Sequence, residues 1–296
     1  MKRVSGIAIL FFAILFLTVS CASPPPPAAP PPADPPPVAA PPPPPPPPAP
    51  PADTSPQLNA TFPDRYFNPY DGDLVISLTA VDQSPITSWR VEINEPQAPN
   101  RLFYAREGQG QPPAQLRWNG RGTAGELVMS ALDYPFVFTA TNALGNSSTF
   151  RSSIGTDIFV VQDGPNFRIQ IPSIIFASNS GGWAGVDPEI SASNAFILRR
   201  IAQALDRFPA YHIRVEGHAN ATVNPGDAEA HRREHVEELQ PLSELRAATI
   251  VNYLAGLGID SGRMSYFGIG GDRPIASWDD RANWWQNRRV EFILVR

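Results

Sequence analysis

Apolar residues recur at helical spacing in one segment near the C-terminus, and the other predictions are arranged around it. Its helix is expected to begin at Ser243, whose hydroxyl can accept a hydrogen bond from a free backbone N–H. Gly256 and Gly258 stand where the helix should end. The apolar positions that predict its buried face are Leu245, Ile250, Val251 and Leu254.

Arg246 is the unusual residue of this helix. It lies three residues after the predicted cap Ser243, where a capping box has Glu or Gln. A cation at this end of a helix costs about 0.3–1 kcal/mol when exposed. Free N–H groups beside a guanidinium would make a good carboxylate site. Arg246 therefore either binds a carboxylate, or pairs with a neighbouring acid or points to solvent.

Hydrophobic periodicity predicts four strands and one more helix in residues 164–296. With the helix at Ser243, the order is strand, helix, strand, helix, strand, strand, which is an α/β sandwich. Pro209 is expected to end the first helix. The predicted ranges are 167–176, 211–216, 263–269 and 289–295 for the strands, and 194–208 for the helix.

Residues 57–163 show a different pattern, in which short apolar runs alternate with Gly, Pro and Asn. This pattern predicts an all-β sandwich. Trp89 and Trp118 are expected in its core. Because no polar cluster in this range suggests chemistry, the module is predicted to be a stalk or an interaction domain. Its predicted strands are 74–79, 88–93, 101–104 and 134–140.

The first 56 residues have the composition of a targeting segment and a spacer. Residues 1–21 begin with positive charge, and the apolar run at 7–19 is shorter than the roughly 20 residues of a membrane span. Residues 17–21, L-T-V-S-C, resemble a bacterial lipobox, so Cys21 is interpreted as a lipidated mature N-terminus. The alternatives are a plain cleaved signal or an incidental cysteine. Residues 22–56 are Pro-rich and predict a disordered, semi-rigid polyproline II spacer.

Composition narrows the class of function. The chain has 296 residues, which allow two domains, and a net charge of −5. No basic patch is dense enough to suggest a nucleic-acid partner. Cys21 is the single cysteine, so no intrachain disulfide is expected.

Four motifs occur in the order of the OmpA-like C-terminal domain, and residues from about 165 to 296 resemble that family. They are V-E-G-H-A-N at 215–220, L-S-E-L-R-A at 242–247, G-I-G at 268–270 with Pro274, and N-R-R-V-E-F at 287–292. The resemblance implies non-covalent binding of peptidoglycan through its stem peptide. L-R-W-N-G at 116–120, Gly125, Tyr134 and G-N at 145–146 resemble the immunoglobulin-like module of FlgD-type proteins.

The OmpA-like resemblance implies a pocket for the diamino acid of the stem peptide. The Arg that takes its carboxylate in the family corresponds to Arg246, and the Asp that takes its ammonium corresponds to Asn220. A charged partner contributes about 1.5–3 kcal/mol and a neutral one about 1, so Asn220 is expected to weaken this contact about tenfold. The predicted peptidoglycan-binding residues are Asn220, Arg246, Asn287, Arg288, His218 and Ser243.

Other residues near this pocket depart from the family or have two interpretations. Leu239 stands where the family has Asn. Asn287 and Arg288 match the family's pocket-side cap, and their alternative role is to hold the last strand in place. Trp284 and Trp285 are adjacent and point in different directions on a regular element, so they either contact a sugar or pack in the protein.

The charged stretch 221–241 is longer than the corresponding connection of the family. His231, Glu234 and His235 match the letters H-x-x-E-H of inverted zinc peptidases, in which two His one turn apart share a metal. Residues 227–238 lack the apolar face that would bury such a helix. A solvated charged helix over the pocket rim is therefore favoured, and neither a metal nor a cofactor is predicted.

These observations predict a non-enzymatic outer-membrane lipoprotein. Acylated Cys21 would hold it in the outer membrane, with the bulk of the chain in the periplasm and the C-terminal domain on the peptidoglycan stem peptide. An envelope protein is a candidate partner of the immunoglobulin-like module. The alternatives are an interaction or scaffold lipoprotein that no longer binds peptidoglycan, and a zinc-dependent cell-wall hydrolase.

Overall fold

The structure, a computed structural model, describes residues 55–172, 174–177 and 179–296. The predicted signal peptide, Cys21 and almost all of the predicted spacer lie outside the described residues. Residues 51–296 form one compact unit, and its described residues pack around two hydrophobic cores. Within the described ranges, no helix is both long enough and apolar enough to cross a bilayer.

The first core lies between two antiparallel sheets, one of three strands and one of four. Side chains alternate along the strands, so that Leu74, Ile76 and Leu78 of one sheet and Val91 and Phe138 of the other are buried in the same core. The strand orders are β1-β2-β5 and β4-β3-β6-β7. The strands are β1 (Gln57–Thr61), β2 (Leu74–Val81), β3 (Ile86–Glu95), β4 (Ala98–Gln109), β5 (Gln115–Trp118), β6 (Asp133–Asn142) and β7 (Ser147–Gly155).

The four strands predicted in this region are confirmed as parts of β2, β3, β4 and β6, and Trp89 and Trp118 are buried in the core as expected. Strand β7 was not predicted. It lies at the edge of its sheet, and most of its side chains, largely Ser and Thr, are exposed or only half-buried. An edge strand of this kind lacks the apolar alternation on which the prediction depends.

The second core lies between a five-stranded sheet and two helices. Apolar residues on one face of the sheet, including Ile169, Val215 and Phe292, pack with Leu198 and Leu254 of the helices. The strand order is β11-β10-β12-β9-β8, and only the β10–β11 pair is parallel. The elements are β8 (Val161–Asp163), β9 (Asn166–Ile171), α1 (Pro188–Asp206), β10 (His212–His218), α2 (Ala228–Glu234), α3 (Gln240–Gly256), β11 (Met264–Gly270) and β12 (Val290–Val295).

The predicted α/β order is present, with two corrected boundaries. Strand β9 ends at Ile171 rather than at 176, because Pro172 has no N–H for the next ladder bond. Helix α1 begins at Pro188 rather than at 194. The Asp187 side chain caps it by accepting a bond from the Glu189 N–H at 2.8 Å, and proline is well suited to the first helical position.

The predicted cap at Ser243 is wrong. Helix α3 begins at Gln240, and the chain reaches it from α2 through a π-helical turn at His235–Leu239. Ser243 is buried inside α3, where its hydroxyl donates to the Gln240 carbonyl and accepts from the Gly270 N–H, both at 2.9 Å. Leu245 is 57% exposed and not part of the core. The other three predicted core positions, Ile250, Val251 and Leu254, are buried.

Two glycines let α3 lie directly on the sheet. A Cβ atom on Gly217 of β10 would stand 2.1 Å from the Ser243 carbonyl oxygen. A Cβ atom on Gly268 of β11 would stand 2.2 Å from the Gln240 carbonyl oxygen. Both obstructing atoms belong to the backbone, so no side-chain rotation can make room.

We therefore expect Gly217→Ala to destabilise the fold by about 1–3 kcal/mol or more, because the methyl group forces β10 and α3 apart. The measurement is the free energy of unfolding in urea. The matched control is Gly256→Ala in the last turn of α3, where nothing lies within 4 Å of the added Cβ. That change should raise stability by at most about 1 kcal/mol. Equal stability of the two variants would contradict the close contact.

Candidate functional site

A cavity of about 240 Å³ lies at one end of the five-stranded sheet, where β9 and β10 end and β12 begins. Helix α3 supplies Arg246 to its wall, and the segment before β12 supplies Trp285 and Arg288. The polar residues of the lining are Gln97, His218, Arg246, Arg288 and Arg289. No Asp or Glu is among the described residues that line it. We call this space the arginine cavity.

Arg246 is held in place but not neutralised. Its Nε atom donates to the Ser180 carbonyl at 3.0 Å, and its guanidinium carbon lies 5.2 Å from the centre of the Phe176 ring. Among the described residues no carboxylate lies within ion-pair distance of it. Burial lowers the pKa of Arg246, and the charge of Arg288 lowers it further. Both effects favour an anion in the cavity.

The surroundings of Arg246 differ from those that the sequence predicted. Because α3 starts before Ser243 and continues from α2, Arg246 lies inside a helix rather than among free N–H groups. The loop that carries Ser180 packs closely on α3. A Cβ atom on Gly181 would stand 2.1 Å from Cγ of Leu245. This contact brings the Ser180 carbonyl to Arg246 and explains why a glycine is needed there.

The other predicted site residues are divided by the structure. His218 and Arg288 line the arginine cavity with Arg246, but Asn220 and Asn287 line a separate cavity of about 300 Å³. Asn287 Nδ2 donates to Asn220 Oδ1 at 2.8 Å and to the Ala276 carbonyl at 3.0 Å. Asn220 Nδ2 donates to the Ala221 carbonyl. Ser243 lines neither cavity.

Asn287 performs a structural task in this arrangement. Its Oδ1 atom accepts bonds from the N–H groups of Ile275 and Ala276 at 2.7 and 2.9 Å. These bonds fix the loop between β11 and β12. The amides of Asn220 and Asn287 are therefore largely occupied by one another and by the backbone.

Comparison with known proteins agrees with this fold and its motifs. A profile of the OmpA family matches residues 187–288. A peptidoglycan-associated lipoprotein of Mesorhizobium japonicum is 36% identical over 129 residues, which are 44% of this chain and 67% of that protein. The chain belongs to the OmpA family.

Other relatives of this OmpA-family chain match a shorter part of it. A peptidoglycan-associated lipoprotein of Agrobacterium fabrum is 38% identical over 97 residues, which are 33% of this chain and 49% of that protein. The chain spans about half the length of the first curated relatives that it matches. A solved peptidoglycan-associated lipoprotein of Burkholderia pseudomallei is 24% identical, with a TM-score of 0.31, over 42% of this chain and 88% of that one.

The H-x-x-E-H letters of the OmpA-family domain have a structural use. The buried Glu234 carboxylate accepts bonds from the Thr222 and Val223 N–H groups at 2.9 and 3.0 Å. Burial raises its pKa, but these bonds and the Thr222 hydroxyl lower it more, so the net shift is downward. His231 Nδ1 donates to the Val223 carbonyl, while His235 Nδ1 lies 3.1 Å from Asp272. Most residues of 227–238 are exposed, as expected for a solvated helix, but Glu234 is buried and anchors the loop after β10.

Another group of side chains has the spacing of a metal site. One ligand atom from each of Glu216, His218 and Glu291 lies within 4.8 Å of the others, on the face of the sheet opposite the helices. Four arginines already contact the two carboxylates. Together the four arginines and the two carboxylates carry a net charge of about +2, which opposes the binding of a metal cation. The ion pairs are Arg214 and Arg273 with Glu216, and Arg168 and Arg289 with Glu291.

His218 is buried beside these charges in its neutral form. Its Nε2 atom lies 3.9 Å from Glu216 and 3.8 Å from Glu291, and neither ring nitrogen has a hydrogen-bond partner among the described residues. Burial, followed by the positive charge of Arg289, lowers its pKa to about 4. The pKa of Glu291 also moves down, since Arg289 and Gln170 outweigh the upward effect of burial.

Nine of the described lining residues were missing from the predicted set, and three of these nine have polar side-chain atoms: Arg289, Trp285 and Gln97. Arg289 belongs to the motif N-R-R-V-E-F at 287–292, and its predicted neighbours Asn287 and Arg288 could have indicated its place in the site. Trp285 is one of the two adjacent tryptophans, and it packs against the core of the β-sandwich. The ring centroid of Trp284 lies 6.4 Å from that of Trp278. Gln97 comes from the turn between β3 and β4, and no local sequence feature indicates its place beside Arg246.

The lowered pKa of His218 predicts a pH-dependent stability. Above about pH 6.5, the unfolded imidazole is neutral like the native one. As the pH falls from about 6.5 to about 4, the unfolded state takes up a proton first, and the free energy of unfolding decreases by roughly 3 kcal/mol. His218→Gln should remove this part of the slope. The measurement is urea unfolding of both proteins across this range, and equal slopes would contradict a buried neutral His218.

Proposed function

We propose that this protein is a non-enzymatic outer-membrane lipoprotein that tethers the envelope to the cell wall. In this proposal the arginine cavity binds a carboxylate of the peptidoglycan stem peptide. The observation that carries it is Arg246, a half-buried guanidinium with no acidic partner among the described residues, beside Arg288 in a cavity to which those residues contribute no Asp or Glu. A buried charge without a partner is costly, and an anionic ligand would remove that cost.

The chemistry of recognition follows from the lining. A planar guanidinium binds a carboxylate through two parallel hydrogen bonds, and bonds to charged groups contribute about 1.5–3 kcal/mol each. Among the described residues, neither an acid nor the amide of Asn220 lines the cavity to receive an ammonium. We infer that the carboxylate carries most of the affinity, and that the ammonium of a diamino acid contributes little here.

The relatives support both ends of the tether. Their names join a lipoprotein to peptidoglycan association. The part of the chain that the OmpA family profile matches contains Arg246. In this chain Cys21 follows a secretory apolar run, which suits acylation. The Pro-rich residues 22–56 would separate the anchor from the binding domain. We infer that the bulk of the chain is periplasmic.

We also infer that the β-sandwich is immunoglobulin-like and begins near residue 57. Seven antiparallel strands in sheets of three and four are typical of that fold. The Tyr134 hydroxyl accepts a bond from the Met129 N–H at 2.9 Å, five residues upstream, as in a tyrosine corner. Because β8 pairs with β9, we place the boundary between the domains just before Val161 rather than at 164. An envelope protein is the partner we propose for the sandwich.

The proposal predicts that Arg246→Ala weakens sedimentation with purified peptidoglycan by about 10- to 100-fold, since a charge-assisted contact is lost. The fold should survive, because the side chain lines a cavity and contributes no core volume. The measurement is the bound fraction as a function of peptidoglycan concentration, with circular dichroism to confirm folding.

The matched control is Arg199→Ala, which removes the same charge from an exposed position on α1. It should sediment like the parent. If folded Arg246→Ala also sediments like the parent, the cavity is not the peptidoglycan site. The replacement of Asp by Asn220 and of Asn by Leu239 would then favour the interaction or scaffold lipoprotein.

The anchor is tested separately at Cys21. Cys21→Ala should remove incorporation of radiolabelled fatty acid and move the protein from the membrane to the soluble fraction, because the acylated thiol is absent. The parent protein, expressed at the same level, is the reference. Membrane fractionation that does not change would contradict lipid anchoring at this residue.

A further inference from the structure

We infer that the β-sandwich forms one wall of the arginine cavity, and that Gln97 is a specificity-determining residue for the bound peptide. This inference rests on the proposed function of the cavity. It gives the sandwich a direct part in ligand binding, in addition to any role as a stalk or a partner-binding domain.

The first observation is the position of the β3–β4 turn. β3 ends at Glu95 and β4 begins at Ala98, so Gln97 stands at the tip of a short hairpin. Its exposed side chain lines the same cavity as Arg246 and Arg288, which belong to the other domain. The cavity is therefore bounded by side chains from both domains.

The second observation is that side-chain contacts hold this turn in place. Glu95 is 8% exposed, and its Oε1 atom lies 3.1 Å from Nη2 of Arg101. The same Nη2 atom donates to Oδ1 of Asn283. Asn283 belongs to the 3-10 helix Arg281–Asn287, which precedes the arginines of the cavity. Arg101 thus connects the base of the hairpin to the segment that carries Trp285.

Trp285 provides a further contact between the β-sandwich and the segment before β12, independent of Arg101. Trp285 lines the arginine cavity and also packs against the hydrophobic core of the β-sandwich. A polar bridge and an apolar contact therefore meet on one 3-10 helix. Two contacts of different kinds define the position of the turn better than either would alone.

The chemistry of Gln97 suits a peptide group. A carboxamide presents two donors and an acceptor, which is the complement of a backbone amide. A ligand whose carboxylate pairs with Arg246 carries its next amide within the same small space. Gln97 is neutral, so it can bond to that amide without competing for the arginines. The expected ligand is a short peptide with a free carboxylate.

The sharpest test is a change of charge at constant size. Gln97→Glu would place a carboxylate beside Arg246 and Arg288, where it competes with the ligand. Binding of purified stem tetrapeptide, measured by calorimetry, should weaken at least tenfold. Gln109→Glu is the matched control, since Gln109 is an exposed residue at the far end of the same β4 strand and does not line the cavity.

Two further variants test the wall itself. Gln97→Ala should weaken tetrapeptide binding about three- to tenfold, because it removes neutral hydrogen bonds without adding charge. Arg101→Ala should weaken it similarly by releasing the hairpin, whereas Arg90→Ala should not. Arg90 is half-exposed on the same sandwich, and its ion-pair partners among the described residues are Glu92 and Glu107.

The outcomes separate this inference from the proposed function. If Arg246→Ala loses tetrapeptide binding while Gln97→Glu and Gln97→Ala bind like the parent, the sandwich is not part of the site and the proposed function stands. If Arg246→Ala binds like the parent, or the parent does not bind, both fail. Loss of binding in Arg246→Ala and Gln97→Glu, with Gln109→Glu unchanged, supports the inference.

Discussion

The close backbone contact between α3 and the sheet is the constraint on which the arginine cavity depends. Gly217 and Gly268 leave no room for a methyl group beneath the first turns of α3. Ser243 fills the junction and satisfies the Gly270 N–H of β11. Since Arg246 follows one turn later, its position above the end of β10 is set by contacts that involve no ligand. A site fixed in this way avoids the cost of ordering on binding.

The outer face of the same sheet is built on charge rather than on apolar packing. Buried carboxylates are tolerated only when partners surround them, and Glu216 and Glu291 each have two arginines. Arg289 takes part in this network and also reaches the arginine cavity. Arg289 is thus paired with Glu291, whereas no carboxylate of the described residues forms an ion pair with Arg246 or Arg288.

Local patterns correctly predicted the α/β order and three of the four core positions of α3, namely Ile250, Val251 and Leu254. They failed where the position of a side chain depends on a group that is distant in the sequence. A serine before an apolar run looks like a cap. Ser243 instead lies inside the helix, where its hydroxyl bonds to the Gly270 N–H at the end of β11, a contact that the local pattern does not contain. The motif positions Asn220 and Arg246 were expected in one pocket, but the bond from Asn287 places Asn220 in another. Gln97 reaches the site through tertiary packing, which local patterns do not encode.

The bridge from Arg101 to Asn283 has a mechanical meaning for a tether. In the tether proposed above, force between a bound cell wall and an N-terminal anchor would pass through the contacts that join the two domains. The chain itself crosses at β8, a three-residue edge strand whose few ladder bonds would open one after another. The bridge and Trp285 offer a second route, from the wall of the cavity straight into the sandwich. Load shared in this way would relieve the three-residue strand β8.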